Sequence, residues 1–465
     1  MVRIISQETY DEVVRENIEE FDMAPEDAIK EAVAQFEAQG VDLSNIIRDL
    51  SLGAGDNHLV SVTVSKLKEL PKNHNEAISK ELDVLIAECN KDIAHRVRAG
   101  KEGAYNILLE LLSASYNSYI QSPNEKEEIA FLKRVLASLI ALMDSQPDLL
   151  ESKGIDLIKS ILDNVENQEI LIATLKWISV CCLKHEINRQ KIFAKDIIEN
   201  LKTLLKIKGN IKLLSETLQV IRRLTLDDDI RLEFGKAHER ARELGLHLLE
   251  PLTLLLKENT KPPLVSELML TSASLLVRHE LCAAVAERGG DVLFTVLADN
   301  FENAAVVQQA GKLITALAGN DDVKRQLVKS GIIPIIVSIL ARHSSNPTVA
   351  AITLKCIAAL SLRESAHSRQ FVDAGAAEHV AQCMLMHPAD RSVQKNGCWA
   401  VRNIVARSRD LNVKFLELGI ESILNKAYEL FSKDFGYDIK SALRDLECDV
   451  KLDEQWTGKG VQLEQ

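Results

Sequence analysis

One phrase returns eight times along the chain and limits what it can fold into more than any other feature. A short polar stretch leads to a glycine, and an apolar helical run follows. It reads "KEGAYNILLELL" at Gly103, "SKGIDLIKSIL" at Gly154, "ELGLHLLEPLTLLL" at Gly245 and "ERGGDVLFTVL" at Gly289. It continues as "KSGIIPIIVSIL" at Gly331, "DAGAAEHVAQCML" at Gly375 and "ELGIESILNKAYEL" at Gly419, and "AKDIIENLKTLL" puts Asp196 in the glycine's place. Successive anchors are 51, 42, 49, 44, 42, 44 and 44 residues apart. A hairpin of helices cannot bury its apolar stripe alone, so helical units repeated at that period stack into one continuous core. The glycine has its own cause, since a sharp turn between packed helices needs positive φ or close backbone approach.

A second phrase keeps step with the first. "TLKWISVCCL" (174–183), "TLQVIRRLTL" (217–226) and "TLKCIAALSL" (353–362) are near copies, and "AGKLITALAG" and "GCWAVRNIVA" fit the same frame. Breaks such as "SPNE", "KGN", "KPP", "SNP" and "HPAD" precede the units. Ten prolines and twenty glycines in 465 residues leave few turns, which again favours helices.

Charge divides the chain unequally. Residues 1–60 hold fourteen acids and four bases, a net −10, so of the total −12 the rest carries only −2. Two amphipathic stripes run through this acidic end: Tyr10, Val13, Val14, Ile18 and Phe21, then Ala28, Ile29, Ala32, Val33 and Phe36. Pro25 opens the second stripe, Gly40 closes it, and "SLGAGDN" (51–57) reads as a flexible joint. At the other end Ile439, Ala442, Leu443 and Leu446 line one side of a closing helix, and Trp456 is expected to fold back onto it. The organisation that follows is an acidic helical segment over 1–57, a helical cap or degenerate first repeat over 58–120, repeats over 121–431, and a capping helix with its tail over 432–465.

Motifs that carry chemistry are missing. GxxxxGK[ST], GxGxxG after a strand, HExxH, GxSxG and zinc-spaced Cys/His clusters do not occur, so no catalytic residue, metal site or cofactor is expected. The eight cysteines form no CxxC pair and mostly sit in apolar helical contexts, as reduced thiols of an intracellular protein do. Apolar runs stay well short of the roughly 20 residues that span a bilayer, and the N-terminus lacks a secretory signal's apolar core. Cytosol, with the nucleus as an additional location, is the expected compartment. A nucleic-acid-binding helical repeat is a rival reading. It needs a basic stripe and stacking aromatics, which a net −12 and 4% aromatic content do not favour.

"SGIIPIIVSIL" and "NGCWAVRNIVA" resemble two signatures of the armadillo-repeat family: the apolar–Pro start of a helix after the glycine, and the Trp–Ala–x–x–Asn of the third helix. The resemblance covers roughly residues 85–430 and implies an all-α, right-handed solenoid of about eight armadillo/HEAT-type units with helical caps at both ends. It also implies a non-enzymatic scaffold that binds a partner protein or peptide along the concave face, lined by each unit's third helix. The frame pairs Trp399 with Asn403, Lys355 with Ala359, Gly311 with Thr315, Leu270 with Ser274, Gln219 with Arg223, and Lys176 with Val180. The groove so defined holds Lys176, Gln219, Arg223, Lys312, Thr315, Lys355, Trp399, Arg402 and Asn403. A nuclear-transport-receptor-like peptide binder is an alternative, but such receptors repeat Trp and Asn along several units, whereas this chain has one such rung. The scattered cations suit an acidic or carboxylate-ended peptide instead, and the acidic N-terminal segment is a candidate to lie across them within the molecule.

Overall fold

The computed structural model describes residues 3–5, 7–43, 46, 59–71 and 74–450. The joint expected at 51–57 and Trp456 both lie outside them. Apart from a two-residue parallel pair, Arg3–Ile4 beside Val41–Asp42, the regular structure of the described residues is helical. Two compact halves divide it, residues 1–237 and 238–465.

In the N-terminal half, α1 (Gln7–Glu19) and α2 (Pro25–Ala38) form a hairpin with its own core of Tyr10, Val14, Ala28, Ala32 and Phe36. Pro25 stands at the helix start and Gly40 takes φ +71° just past its end. Phe21 departs from the expected stripe: it lies beyond the end of α1 and is 62% exposed. An ion pair between the hairpin and the body joins Lys101 Nζ to Asp11 Oδ2 at 3.0 Å.

Next come α3 (Leu59–Glu69) and α4 (Asn75–Cys89), then a complete three-helix repeat, α5 (Ile93–Lys101), α6 (Ala104–Gln121) and α7 (Lys126–Met143). A boundary at 120/121 therefore falls at the last residue of α6, inside this repeat. The next repeat has only a short 3₁₀ turn, Pro147–Leu149, before α8 (Ser152–Asn164) and α9 (Gln168–Cys182); α10 (Glu186–Phe193), α11 (Ile197–Leu204) and α12 (Ile211–Leu224) follow. The third helices α4, α7, α9 and α12 pack in succession. Trp177, fully buried on α9, donates its indole N–H to Met143 Sδ of α7 at 3.0 Å.

The C-terminal half runs through α13 (Ala237–Glu258), α14 (Leu264–Leu275), α15 (His279–Asp299) and α16 (Ala304–Leu317). Two regular repeats follow: α17 (Asp321–Lys329), α18 (Ile332–Arg342) and α19 (Pro347–Ser361), then α20 (Ser365–Asp373), α21 (Ala376–Met386) and α22 (Arg391–Val405). The half closes with α23 (Asn412–Glu417) and α24 (Ile420–Asp445), which bends at Phe431 and Phe435. Here α14, α16, α19, α22 and α24 pack in succession. Ile439, Ala442, Leu443 and Leu446 are buried, as a capping stripe requires.

The anchors split by physical cause. Gly103, Gly331, Gly375 and Gly419 take φ between +73° and +91° at the start of a repeat's second helix, and Asp196 does the same at +53°. Gly154 and Gly245 answer to crowding instead. A Cβ at Gly154 would stand 2.5 Å from the Tyr105 hydroxyl, and one at Gly245 would stand 3.1 Å from the Leu275 carbonyl. Gly289 differs from the expected turn, because α15 runs unbroken through it.

Candidate protein-interaction surface

The third helices start alike. Asn167, Asn210, Asn303, Asn346 and Asp390 each cap one of them, the side-chain oxygen accepting backbone N–H groups of the first turn. Each such cap is worth about 1 kcal/mol and fixes where the helix begins, hence which residues face outward. Counting nine residues from the cap reaches Lys176, Gln219, Lys312, Lys355 and Trp399. The expected frame is therefore one residue off in α16. Gly311 is buried against Ile352, so Lys312 holds the Trp399 position and Ala316 the Asn403 position. The polar caps at regular spacing, visible as "EN", "GN", "EN", "SN" and "AD", would have set that register from sequence.

In the N-terminal half the third helices enclose a cleft of about 620 Å³, within the ordinary size range of ligand sites. Its floor is Ile86, Ala137, Ile140, Ala141, Ile172 and Ala173. Lys133, Lys176 and Lys212 rim it. Lys133 is bonded to Glu169, and Lys176 lies 3.6 Å from Glu216, so three cations share two carboxylates. Of the expected residues only Lys176 lines this cleft; Gln219 and Arg223 lie one helix further on, half-buried. Small side chains recurring on α7 and α9 are the signal that sequence reading passed over.

In the C-terminal half the expected residues meet different fates. Asn403 spends its amide on Ala358 O of α19 at 2.9 Å, and Asn396 does likewise on Ala351 O at 2.8 Å. Thr315 turns inward, donating to Gly311 O at 2.8 Å and lying 3.2 Å from Cys356 Sγ. Arg402 is 3.6 Å from both Asp438 and Asp445. The lysines remain. Among the described residues Lys312, Lys355 and Lys395 make no ion pair, and Lys395 Nζ sits 4.8 Å from the Trp399 ring centre. Burial holds the Lys312 ammonium below its ordinary pKa with no carboxylate compensating.

The thiols suit packing and not chemistry. None of the eight cysteines is in a disulfide. Burial pushes the Cys89 thiol up to about 12 and those of Cys282, Cys356 and Cys383 up to about 11, away from the reactive thiolate. Among the described residues no cluster of His, Cys, Asp and Glu could hold a metal, and no helix is long and apolar enough to cross a membrane.

Stacked three-helix repeats with glycine turns and outward-facing third helices define an α-solenoid of armadillo repeats, the architecture of a protein-interaction scaffold. An engineered protein matches the fold with a TM-score of 0.54 at 16% identity, covering 84% of this chain and 100% of its own. A chain from a study of the interaction between cadherin and beta-catenin matches with 0.52 at 14% identity, over 73% and 66%. The chain belongs to the Armadillo repeat-containing protein 6 family: residues 2–75 match its N-terminal domain and 60–464 match the ARMC6 profile. It is 40% identical over 464 residues to the Armadillo repeat-containing protein 6 homolog of Drosophila melanogaster, covering 98% of both chains. It is 34% identical over 387 residues to Armadillo repeat-containing protein 6 of Homo sapiens, covering 78% of this chain and 75% of that one.

Proposed function

We propose that the chain is a non-enzymatic scaffold whose C-terminal half takes an acidic peptide segment of a partner protein. The observation that carries this reading is the run Lys312, Lys355 and Lys395, one cation on each of three successive third helices with no carboxylate paired to it. Bound carboxylates would gain charge-assisted hydrogen bonds there, and partial burial at Lys312 strengthens such a contact. The same arrangement opposes a basic, import-signal-like peptide. Such a ligand would stack its lysine stem on the Trp399 ring, where Lys395 already sits and would repel it. The thiols, mostly buried and none in a disulfide, are consistent with a reducing compartment, cytosol or nucleus.

The test is selection of peptides from a display library that contains both Asp/Glu-rich and Lys/Arg-rich sequences. Acidic peptides should be enriched, and Lys355→Glu/Lys395→Glu should weaken them at least tenfold, with affinity falling as salt rises. Enrichment of basic peptides, or acidic binding unmoved by the charge reversal, overturns the reading.

A further inference from the structure

The armadillo pattern fails once in a way that leaves hydrophobic side chains outside. Between α12 and α13 residues 225–236 form an extra irregular loop, ahead of the first-helix positions that lie within the start of α13. Its Ile230 is 95% exposed and Phe234 84% exposed.

This loop is built, not slack. Asp228 accepts from Arg189 Nη1 at 2.5 Å and from the Lys184 N–H at 3.2 Å. Asp229 accepts the Glu186 N–H at 2.8 Å and the Arg231 Nε–H at 2.8 Å. Arg231 reaches on to Asp148 Oδ1 at 2.9 Å and to Lys184 O at 3.1 Å. The Lys236 N–H closes the loop on Glu186 Oε1 at 2.8 Å. Arg189 and Glu186, fully buried, pair beneath it at 3.0 Å. A loop held this firmly has lost its backbone freedom already, so burying Ile230 and Phe234 against a partner costs little further ordering.

The same half of the molecule carries a receptor of matching chemistry. The alanine-floored cleft leaves room for an aromatic side chain, and three lysines share two carboxylates around it. Ile230 and Phe234 are flanked by the exposed carboxylates of Asp227 and Glu233. Loop and cleft do not meet within the chain, where Ile230 and Phe234 stand exposed and neither lines the cleft. The cleft is lined by Glu169, Ile172, Ala173 and Lys176 from the start of α9 onward, whereas the loop is pinned at Lys184 and Glu186 past its other end. Lys176, the cleft residue of α9 nearest the loop, stands eight residues before Lys184, about 12 Å along a helix at about 1.5 Å per residue.

We propose that the chain self-associates by seating Ile230 and Phe234 of one copy in the lysine-rimmed cleft between α4, α7 and α9 of a second copy. This contact is separate from the Lys312–Lys355–Lys395 run, so either assignment stands if the other fails.

Sedimentation across a dilution series tests it on the full chain. The wild-type mass should rise above the 51.7 kDa monomer as concentration increases. Ile230→Ser/Phe234→Ser removes the loop anchors at positions that pack on nothing, and should weaken association roughly hundredfold. Ala137→Trp fills the cleft and should do the same, with Lys212→Glu at an exposed rim position as the variant that leaves packing untouched. The decisive sample mixes the loop variant with the cleft variant, since one keeps the cleft and the other keeps the loop. The mixture should regain a mass above monomer that neither variant shows alone. A wild type that stays monomeric throughout, a loop variant that associates as wild type does, or a mixture that adds nothing overturns the proposal.

Discussion

The stretch 183–236 and the repeat 321–361 perform the same structural task by opposite means. The repeat at 321–361 is regular. Gly331 turns the chain at φ +91°, Asn346 caps the third helix, and Ile332, Ile336, Leu340, Leu354 and Ile357 fill the core. Its buried cation, Lys324, is satisfied by Asp321 at 2.7 Å and Leu362 O at 2.9 Å. In 183–236 an extra loop follows α12, and an ion cluster of buried Arg189, Glu186 and Asp229 with half-buried Asp228 holds it. Apolar stacking tolerates small changes of shape, whereas a buried ion cluster depends on every member being present.

The largest effect that follows is at Arg189. Arg189→Met removes the buried cation that Glu186 and Asp228 share and should lower stability by about 3–5 kcal/mol in urea unfolding. A loss below 1 kcal/mol would erase the contrast. Gly331→Ala, which places a Cβ in the left-handed region at a turn with open space around it, should cost roughly 1–2 kcal/mol by the same assay. Asn346→Ala removes the cap of α19 and should cost about 1 kcal/mol, recovered mostly by Asn346→Asp. The smallest effect is one of pH. Hydrogen bonding from Arg231 holds the Asp229 carboxyl well below its ordinary 3.8. A folded-state pKa below the unfolded one gives stability that is present above that ordinary value and lost as pH falls through the acid range. Asp229→Asn should therefore flatten the decline of stability below about pH 4, while Asp321→Asn, its counterpart beside Lys324, flattens it less. Equal flattening would show that the two regions handle charge alike.

Much of the fold was legible because repetition amplifies a weak signal. One glycine before an apolar run predicts little, but eight anchors at a steady spacing predict stacked helices, and the capping stripe at 439–446 follows from simple periodicity. Gly289 was misread because a glycine at the right spacing need not turn the chain, and nothing local separates it from Gly331. The surface was less legible. Which helical residue faces outward depends on where the helix begins, so one residue of slip in α16 exchanged Lys312 with Gly311. Asn403 looked free because its acceptor, Ala358 O, lies 45 residues earlier in the chain. The cleft on α4, α7 and α9 announces itself only through alanines, whose meaning depends on larger neighbours that the fold brings alongside.

The two asparagines of α22 have a mechanical consequence. Asn396 and Asn403 stand seven residues apart and donate to Ala351 and Ala358 carbonyls that are also seven apart. They act as two bolts through one seam, preventing α22 from sliding or rotating on α19. The seam between α16 and α19 has instead the softer contacts of Cys356 with Gly311 O and Thr315. Flexing in this half should therefore concentrate between α16 and α19, which lets the spacing from Lys312 to Lys355 vary while Lys355 and Trp399 keep theirs.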